Sequence, residues 1–351
     1  MKKIILINCF LLFISVNIMK GEKPNRQGTT AGNFLEIGFG GAGYGMGDAV
    51  VSSCKDLSAM YWNPARLAYM ENSEAQFMYQ PWFADINTGF AGAGIILPNI
   101  GAFAIGYFQV DYGNIGVTTM DMQEGTGEQY TSRDYHLTLS YARRLAEWFA
   151  FGASGKYIGS KIWHCNSSAL ALDLGVSVNT FFFSPTEKRE DGLTIAMSIA
   201  NYGGRLKYDG MDLLRPIDPL PNENGNYKDV EGQYRTQPWE LPLIFRVGFS
   251  VCPYAGRSQK IILEVDALHP NNNNESVNIG GQYEYTIPEF GNFYLRCGYK
   301  GLFLEDSEYG MNYGAGMLYR MFGNTGIRMD YAYRDMGLLG KIHSYTIGFL
   351  F

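Results

Sequence analysis

The chain has 351 residues and a formal net charge of −6, which gives no support to a nucleic-acid-binding surface. Its apolar content of 46% and mean hydropathy of −0.13 exclude a bundle of transmembrane helices. They do not exclude a transmembrane barrel, in which only alternate residues of each strand face lipid. The 25 Tyr and 22 Phe suit aromatic girdles at two membrane interfaces, and the 43 Gly suit tight turns and close strand packing.

Residues 1–21 read as a secretory signal: Met1-Lys2-Lys3, then an apolar run over 4–18, with cleavage expected near Gly21. Residues 22–72 read as a compact non-strand segment. Within it, Gly38-Phe39-Gly40-Gly41-Ala42-Gly43-Tyr44-Gly45-Met46-Gly47 has a nucleotide-loop-like spacing, but no strand–helix–strand unit follows. Bent backbone in a tight space is the expected reading. A short helix is expected over 48–55. Asp56 is placed to cap one helical turn and Asn63 another, with Pro64 at the first helical position, where its missing N–H costs nothing.

From Ser73 onward the apolar pattern has period two. Fourteen strands are expected: 73–82, 86–97, 101–119, 129–145, 148–163, 167–181, 192–208, 240–251, 259–268, 275–287, 292–301, 309–321, 325–334 and 342–351. The fold class is therefore all-β: an antiparallel transmembrane barrel over 73–351 with a small amino-terminal hatch over 22–72. A soluble propeller or sandwich is the runner-up, and it wants apolar rather than charged inner faces. In the later strands Phe245, Val247 and Phe249 oppose Arg246. Ile261, Leu263 and Val265 oppose Glu264 and Asp266. Leu295, Cys297 and Tyr299 oppose Arg296. Ile327, Met329, Tyr331 and Tyr333 oppose Arg328, Asp330 and Arg334. A charge facing lipid at the midplane costs about 2–4 kcal/mol, so these seven charges belong in the lumen. Glu264 and Asp266, two apart on one face, are expected as ion-pair partners there, with a bound cation as the alternative.

The last strand carries Tyr345, Ile347, Phe349 and Phe351 on one face, against Ser344, Thr346 and Gly348. Closing it on the first strand removes an aggregation-prone edge. It resembles the final strand of bacterial outer-membrane barrels, and the resemblance implies that these four residues are the signal read by the barrel-insertion machinery. With both termini on the periplasmic side, the connections alternate between mostly short turns and a set that includes the longest, 209–239, as expected of such barrels.

Cys54, Cys165, Cys252 and Cys297 form no C-x-x-C pair. Cys297 reads as a small hydrophobe, and a disulfide among the other three stays open. His136, His164, His269 and His343 are scattered, and no G-x-S-x-G elbow is present, so neither an enzyme, a metal site nor a cofactor is expected.

The segment from Gly38 to Ala68 resembles the amino-terminal region of the PorV/PorQ proteins, relatives of the long-chain fatty-acid channels of outer membranes. The carrying residues are Met46-Gly47-Asp48-Ala49, Asp56-Leu57-Ser58-Ala59 and Tyr61-Trp62-Asn63-Pro64-Ala65, with Arg66 where the family commonly has Gly. Further similarity lies in Leu241-Pro242-Leu243-Ile244-Phe245-Arg246, His269-Pro270-Asn271 and Asp330-Tyr331-Ala332-Tyr333. The resemblance implies a fourteen-stranded barrel with a hatch bearing Trp62, Asn63, Pro64 and Ala65, in contact with outer-membrane lipids. It also implies protein partners in type IX secretion, or exported cargo.

Three functions compete: a protein-binding secretion component, a channel for hydrophobic small molecules, and a structural membrane protein without transport. A channel wants an apolar pocket beside the hatch, lined by residues such as Phe39, Tyr44 and Trp62. A carrier wants an exposed apolar outer loop. In the loop 209–239, Met211, Leu213, Leu214, Ile217 and Leu220 make an apolar cluster cut by Pro216, Pro219 and Pro221. It reads as a lid over the barrel mouth, as a docking surface for an exported domain, or as a lipid-capturing lip.

Overall fold

A computed structural model describes residues 26–220, 222, 230–304, 307–321 and 325–351. The signal-like start and part of the longest loop, Pro221 included, lie outside the described residues. Fourteen strands of eight or more residues make the wall. They are β1 (Glu74–Pro81), β2 (Asn87–Leu97), β3 (Gly101–Gly116), β4 (Gln129–Ala146), β5 (Phe149–Ile162), β6 (Cys165–Asn179), β7 (Thr194–Gly203) and β8 (Ile244–Ala255). They continue with β9 (Gln259–Pro270), β10 (Ser276–Ile287), β11 (Gly291–Leu302), β12 (Met311–Arg320), β13 (Gly326–Asp335) and β14 (Lys341–Leu350).

Each strand pairs antiparallel with the next, and β14 returns to pair with β1, so the sheet is a closed ring. The seam runs from Glu74↔Leu350 to Tyr79↔Tyr345. Beyond it the Phe351 N–H donates to the Ser73 carbonyl (2.9 Å). On β14, Tyr345, Ile347 and Phe349 point outward while Ser344, Thr346 and Gly348 are buried. The period-two pattern thus sets which face meets lipid.

Three strand ends depart furthest from expectation, each for a local reason. β7 stops at Gly203 rather than 208, and the chain turns into a two-residue strand, Arg205–Leu206, paired with Trp239–Glu240. β8 starts at Ile244 rather than 240, because Glu240 is engaged there and Pro242 has no N–H for the ladder. It then runs on to Ala255 through a register shift between Val251 and Tyr254, around Pro253.

One end of the barrel carries mostly short turns, and the other carries the longest connection, 204–243. Long loops are extracellular in outer-membrane barrels, which orients the molecule. Glu74 and Leu350 both lie at the short-turn end. The amino-terminal segment does not, contrary to the expectation that both termini share a side. Thr30 bridges Glu240, and the Ala31 N–H donates to the Glu240 carbonyl (2.9 Å). Asn272 Nδ2 donates to Thr30 Oγ1 (3.0 Å). The cause is a low wall at this point: β7–β8 pairing ends at Ala200↔Ile244, leaving the edge at Glu240 free to bind the incoming chain. Residues 32–73 therefore traverse the whole lumen.

An epitope tag inserted just ahead of Arg26 is accordingly expected to be stained by antibody on intact cells. A tag in the turn at 256–258 is expected to need permeabilisation. Equal shielding of the two tags in intact cells would overturn this topology.

Candidate functional site

The hatch comprises a 3₁₀ turn (Asn33–Glu36), α1 (Gly41–Gly45), α2 (Ala59–Trp62) and a second 3₁₀ turn (Pro64–Tyr69). The glycine run is bent backbone in a tight space, and the space is the wall itself. A Cβ on Gly45 would sit 2.8 Å from Gly314 Cα of β12. Gly47 has φ +65°, and a Cβ there would lie 2.6 Å from the Tyr299 nitrogen of β11. Across from it, a Cβ on Gly298 would overlap the Met46 carbonyl group. Glycine on both surfaces lets two backbones touch.

The helix expected over 48–55 is absent, and these residues form turns. The wall supplies acceptors that a helix would otherwise provide. Asp266 Oδ2 accepts the N–H groups of Val50 (2.8 Å) and Val51 (3.0 Å). Glu264 Oε1 accepts the N–H (2.6 Å) and hydroxyl (2.7 Å) of Ser52. The two carboxylates expected as lumen ion-pair partners thus cradle three successive backbone amides of the hatch. Asp56 Oδ1 takes the Ser58 N–H (2.9 Å), and Asn63 Oδ1 takes the Ala65 N–H (3.0 Å) behind Pro64. Asn63 Nδ2 donates to the carbonyls of Val51 and Val176, both at 3.1 Å, so this one side chain ties both hatch turns to β6. Gly175 of β6 makes room for it: a Cβ there would overlap Asn63 Oδ1.

Phe39, Tyr44 and Trp62 are 2%, 1% and 3% exposed. Phe39 stacks on Phe90 of β2 (4.0 Å, 12°), Trp62 meets Tyr61 edge-on (4.7 Å), and Trp62 Nε1 donates to the Phe39 carbonyl (3.2 Å). The residues expected to line an apolar channel fill the lumen instead. Phe39 and Trp62, with Leu57, Met60, Leu67 and Phe108, form one buried core shared by hatch and wall, while the Tyr44 ring lies under the Arg334 guanidinium (3.9 Å).

The seven sequence-read charges all point inward, yet only Arg296 and Asp330 pair with each other (2.5 Å). Arg328 reaches Glu74 (3.1 Å) and Asp56 (3.5 Å). Arg334 binds Asp48 of the hatch, which also holds Lys300 at 2.8 Å. Arg246 lies over the Tyr61 ring (4.9 Å) and donates to the Tyr61 carbonyl (3.4 Å). Five of the seven thereby bind the hatch directly, three of them as cations. Asp48, Lys300 and Glu74 were missed as members of this network. Lys300 shares its inward phase with Arg296 and Gly298, so alternation carried the signal. A further buried pair, Lys156 and Asp173 (2.7 Å), joins β5 to β6, and Lys156 also donates to Asn201 Oδ1 of β7 (2.8 Å).

At the short-turn end, hatch and wall leave a cavity of about 140 Å³ bounded by Lys55, Glu74, Lys260, Glu284, Asn292 and Arg328. That charged lining suits water and ions rather than a hydrocarbon. Cys54, Cys165, Cys252 and Cys297 are all free thiols, which closes the disulfide question for them.

At the long-loop end, Leu206 and Leu241 anchor the base of the longest loop in the shared core. Its described tip is a hairpin, Leu214–Ile217 paired with Val230–Gln233. Met211, Leu214, Ile217 and Leu220 are exposed, Leu213 is half-buried, and Val230 and Tyr234 add to the apolar surface. The described part of the cluster is displayed to the outside rather than packed down as a lid.

A closed fourteen-stranded barrel, apolar outside and charged within, plugged by its own amino-terminal segment, defines a hatch-bearing protein of the bacterial outer membrane. Residues 20–215 match the family described as type IX secretion system protein PorV. That is more than half of the chain, and the chain belongs to this family. Among solved structures, the fold is shared with the Pseudomonas putida toluene transporter TodX, at 12% identity over 89% of this chain and 96% of that one, TM-score 0.54. It is shared with the CymD monoaromatic hydrocarbon channel at 12% identity over 89% and 96%, TM-score 0.57. A Pseudomonas aeruginosa FadL homologue aligns at 11% identity over 89% and 98%, TM-score 0.51. No curated protein matches the chain.

Proposed function

We propose that the chain is a protein-binding component of type IX secretion, one that holds or shuttles exported cargo at the outer face of the membrane. The observation that carries this reading is the displayed hairpin. Met211, Leu214, Ile217 and Leu220 stand in water on a loop far longer than closing the wall requires. The packed lumen supports it, since Phe39 and Trp62 occupy the space a hydrophobic solute needs. The second reading, a channel for hydrophobic small molecules, draws on the fold shared with TodX and CymD.

Excising residues 211–232 and joining the ends with a short Gly-Ser linker separates the two. The barrel is expected to insert and keep its heat-modifiable migration. Binding of a purified carboxyl-terminal domain from a type IX cargo protein is expected to fall by at least about tenfold. Uptake of labelled fatty acid is expected to be unchanged. Retained cargo binding with lost uptake reverses the reading in favour of the channel.

A further inference from the structure

The tight hairpin between β5 and β6 places Trp163 and His164 at its tip, with Ile162 and Cys165 as the last paired residues. Trp163 has φ +51°, a left-handed conformation that such turns normally give to Gly or Asn. A bulky indole held there is a departure from local preference, and such departures cluster where a side chain must be presented. Trp163 stacks on Tyr130 of β4 (5.5 Å, 23°) and on His164 (4.8 Å, 29°), so three rings form one continuous wall. Its Tyr130 and Trp163 rings border a hollow of about 440 Å³ at the extracellular mouth, also lined by Thr118, Ile162, Tyr208 and Asp212, with His164 backing Trp163 from outside the hollow.

Asp212 is fixed at the edge of that wall. Its Oδ1 accepts from His164 Nδ1 (2.9 Å), and its Oδ2 accepts the His164 backbone N–H (3.2 Å). The side-chain bond from His164 holds the Asp212 carboxyl below the usual carboxylate range. Tyr208 is held through its hydroxyl by Ser160 (2.7 Å). The hollow therefore joins a flat aromatic surface to a rim of oriented oxygen and nitrogen groups.

We propose that this hollow is a saccharide subsite. The electron-rich ring faces take the polarised C–H face of a pyranose, and Asp212, Thr118 and the Tyr208 hydroxyl meet its hydroxyl groups. A hydrocarbon fits worse, because it strips water from the Asp212 carboxylate and returns no hydrogen bond. A quaternary cation is drawn by the same ring faces and by the Asp212 charge but leaves the Tyr208 and Thr118 hydroxyls without a partner, and choline in the test separates it from a sugar. A hydroxyl ligand needs only the lone pairs that His164 leaves free on Asp212.

The test uses the full-length protein in detergent and a panel of maltotetraose, cellotetraose, chitotetraose and the glycan released by mild acid from the outer-leaflet glycolipid. Saturation-transfer NMR is expected to show contact with the C–H face of at least one of them, and that sugar is expected to quench tryptophan emission. The same glycan presented on its lipid in nanodiscs separates a membrane-borne ligand from a soluble one, and binding in either form supports the subsite. The decisive variant is Trp163→Gly, which removes the indole and suits the left-handed backbone. It is expected to melt no lower than the parent yet to bind about tenfold more weakly. Asp212→Asn is expected to weaken binding while leaving the hairpin folded. The proposal is overturned if no sugar binds, if Trp163→Gly binds as tightly as the parent, or if toluene or choline alters the Trp163 signal and the sugars do not.

Discussion

Replacing Asp48 with Ala is expected to unseat the hatch while leaving the wall standing. Asp48 is the carboxylate shared by Arg334 and Lys300 (2.8 Å for the lysine); Asp48 and Arg334 are buried and Lys300 is partly so. Asn312 Oδ1 takes the Arg334 Nε–H (3.0 Å), and the Tyr44 ring lies 3.9 Å from the guanidinium carbon, but neither carries a charge to oppose it. Removing one partner of a buried ionic group costs about 3–5 kcal/mol, because the other charge is left uncompensated. Here two cations are left. The antiparallel ladder of β11, β12 and β13 is untouched by the change, so the cost falls on the contact between hatch and wall. The measurement is proteolysis of residues 33–73 in the reconstituted barrel together with planar-bilayer conductance. Both are expected to rise in Asp48→Ala, with a smaller rise in Asp48→Asn, which keeps the shape of the side chain. Parent-like protection in Asp48→Ala would show that packing alone retains the hatch.

Gly298→Val is the steric counterpart. A side chain there runs into the carbonyl of Met46 and the nitrogen of Gly47, both backbone atoms. β11 cannot yield, since it is paired on both sides by β10 and β12. Ordinary overpacking costs about 1–3 kcal/mol when side chains can shift. A side chain driven into backbone atoms that cannot rotate away exceeds that, so the hatch turn at 45–48 is expected to be expelled. Gly155→Ala is the matched control, because a Cβ at Gly155 meets nothing within 4 Å. Parent-like conductance and protease protection in Gly298→Val would mean that the hatch seats without the Met46–Gly298 contact.

The wall was legible because period two is a strong and simple signal. Residues such as Phe245, Arg246 and Val247 declare their faces one by one, and lipid outside makes a mid-strand charge declare the lumen. The hatch was legible only in part. Asn63-Pro64 announced a turn, because cap chemistry is local and reads from neighbouring residues. The course of 48–55 was not legible, because its N–H groups are satisfied by Glu264 and Asp266, more than two hundred residues away. The same distance hid the role of those two carboxylates, which alternation placed in the lumen without naming a partner. The turn after residue 163 was expected, but the left-handed Trp163 was not, because nothing in a tryptophan announces a conformation that usually calls for glycine.

The passage of residues 32–73 through the lumen also constrains the order in which the molecule can be made. The bond from Gly41 to Thr346 spans 305 residues, and that from Arg334 to Asp48 spans 286. The hatch comes first in the chain, yet its partners lie in β9 to β14, so its amides and its Asp48 stay bonded to water until nearly the whole chain exists. Such a wiring of early to late residues is slow to fold, because long loops must close before any contact rewards them. It also makes the β1–β14 seam the natural last step. Phe39 and Trp62 of the hatch share one core with Phe90 of the wall, so closing the ring around the segment completes that core in the same step.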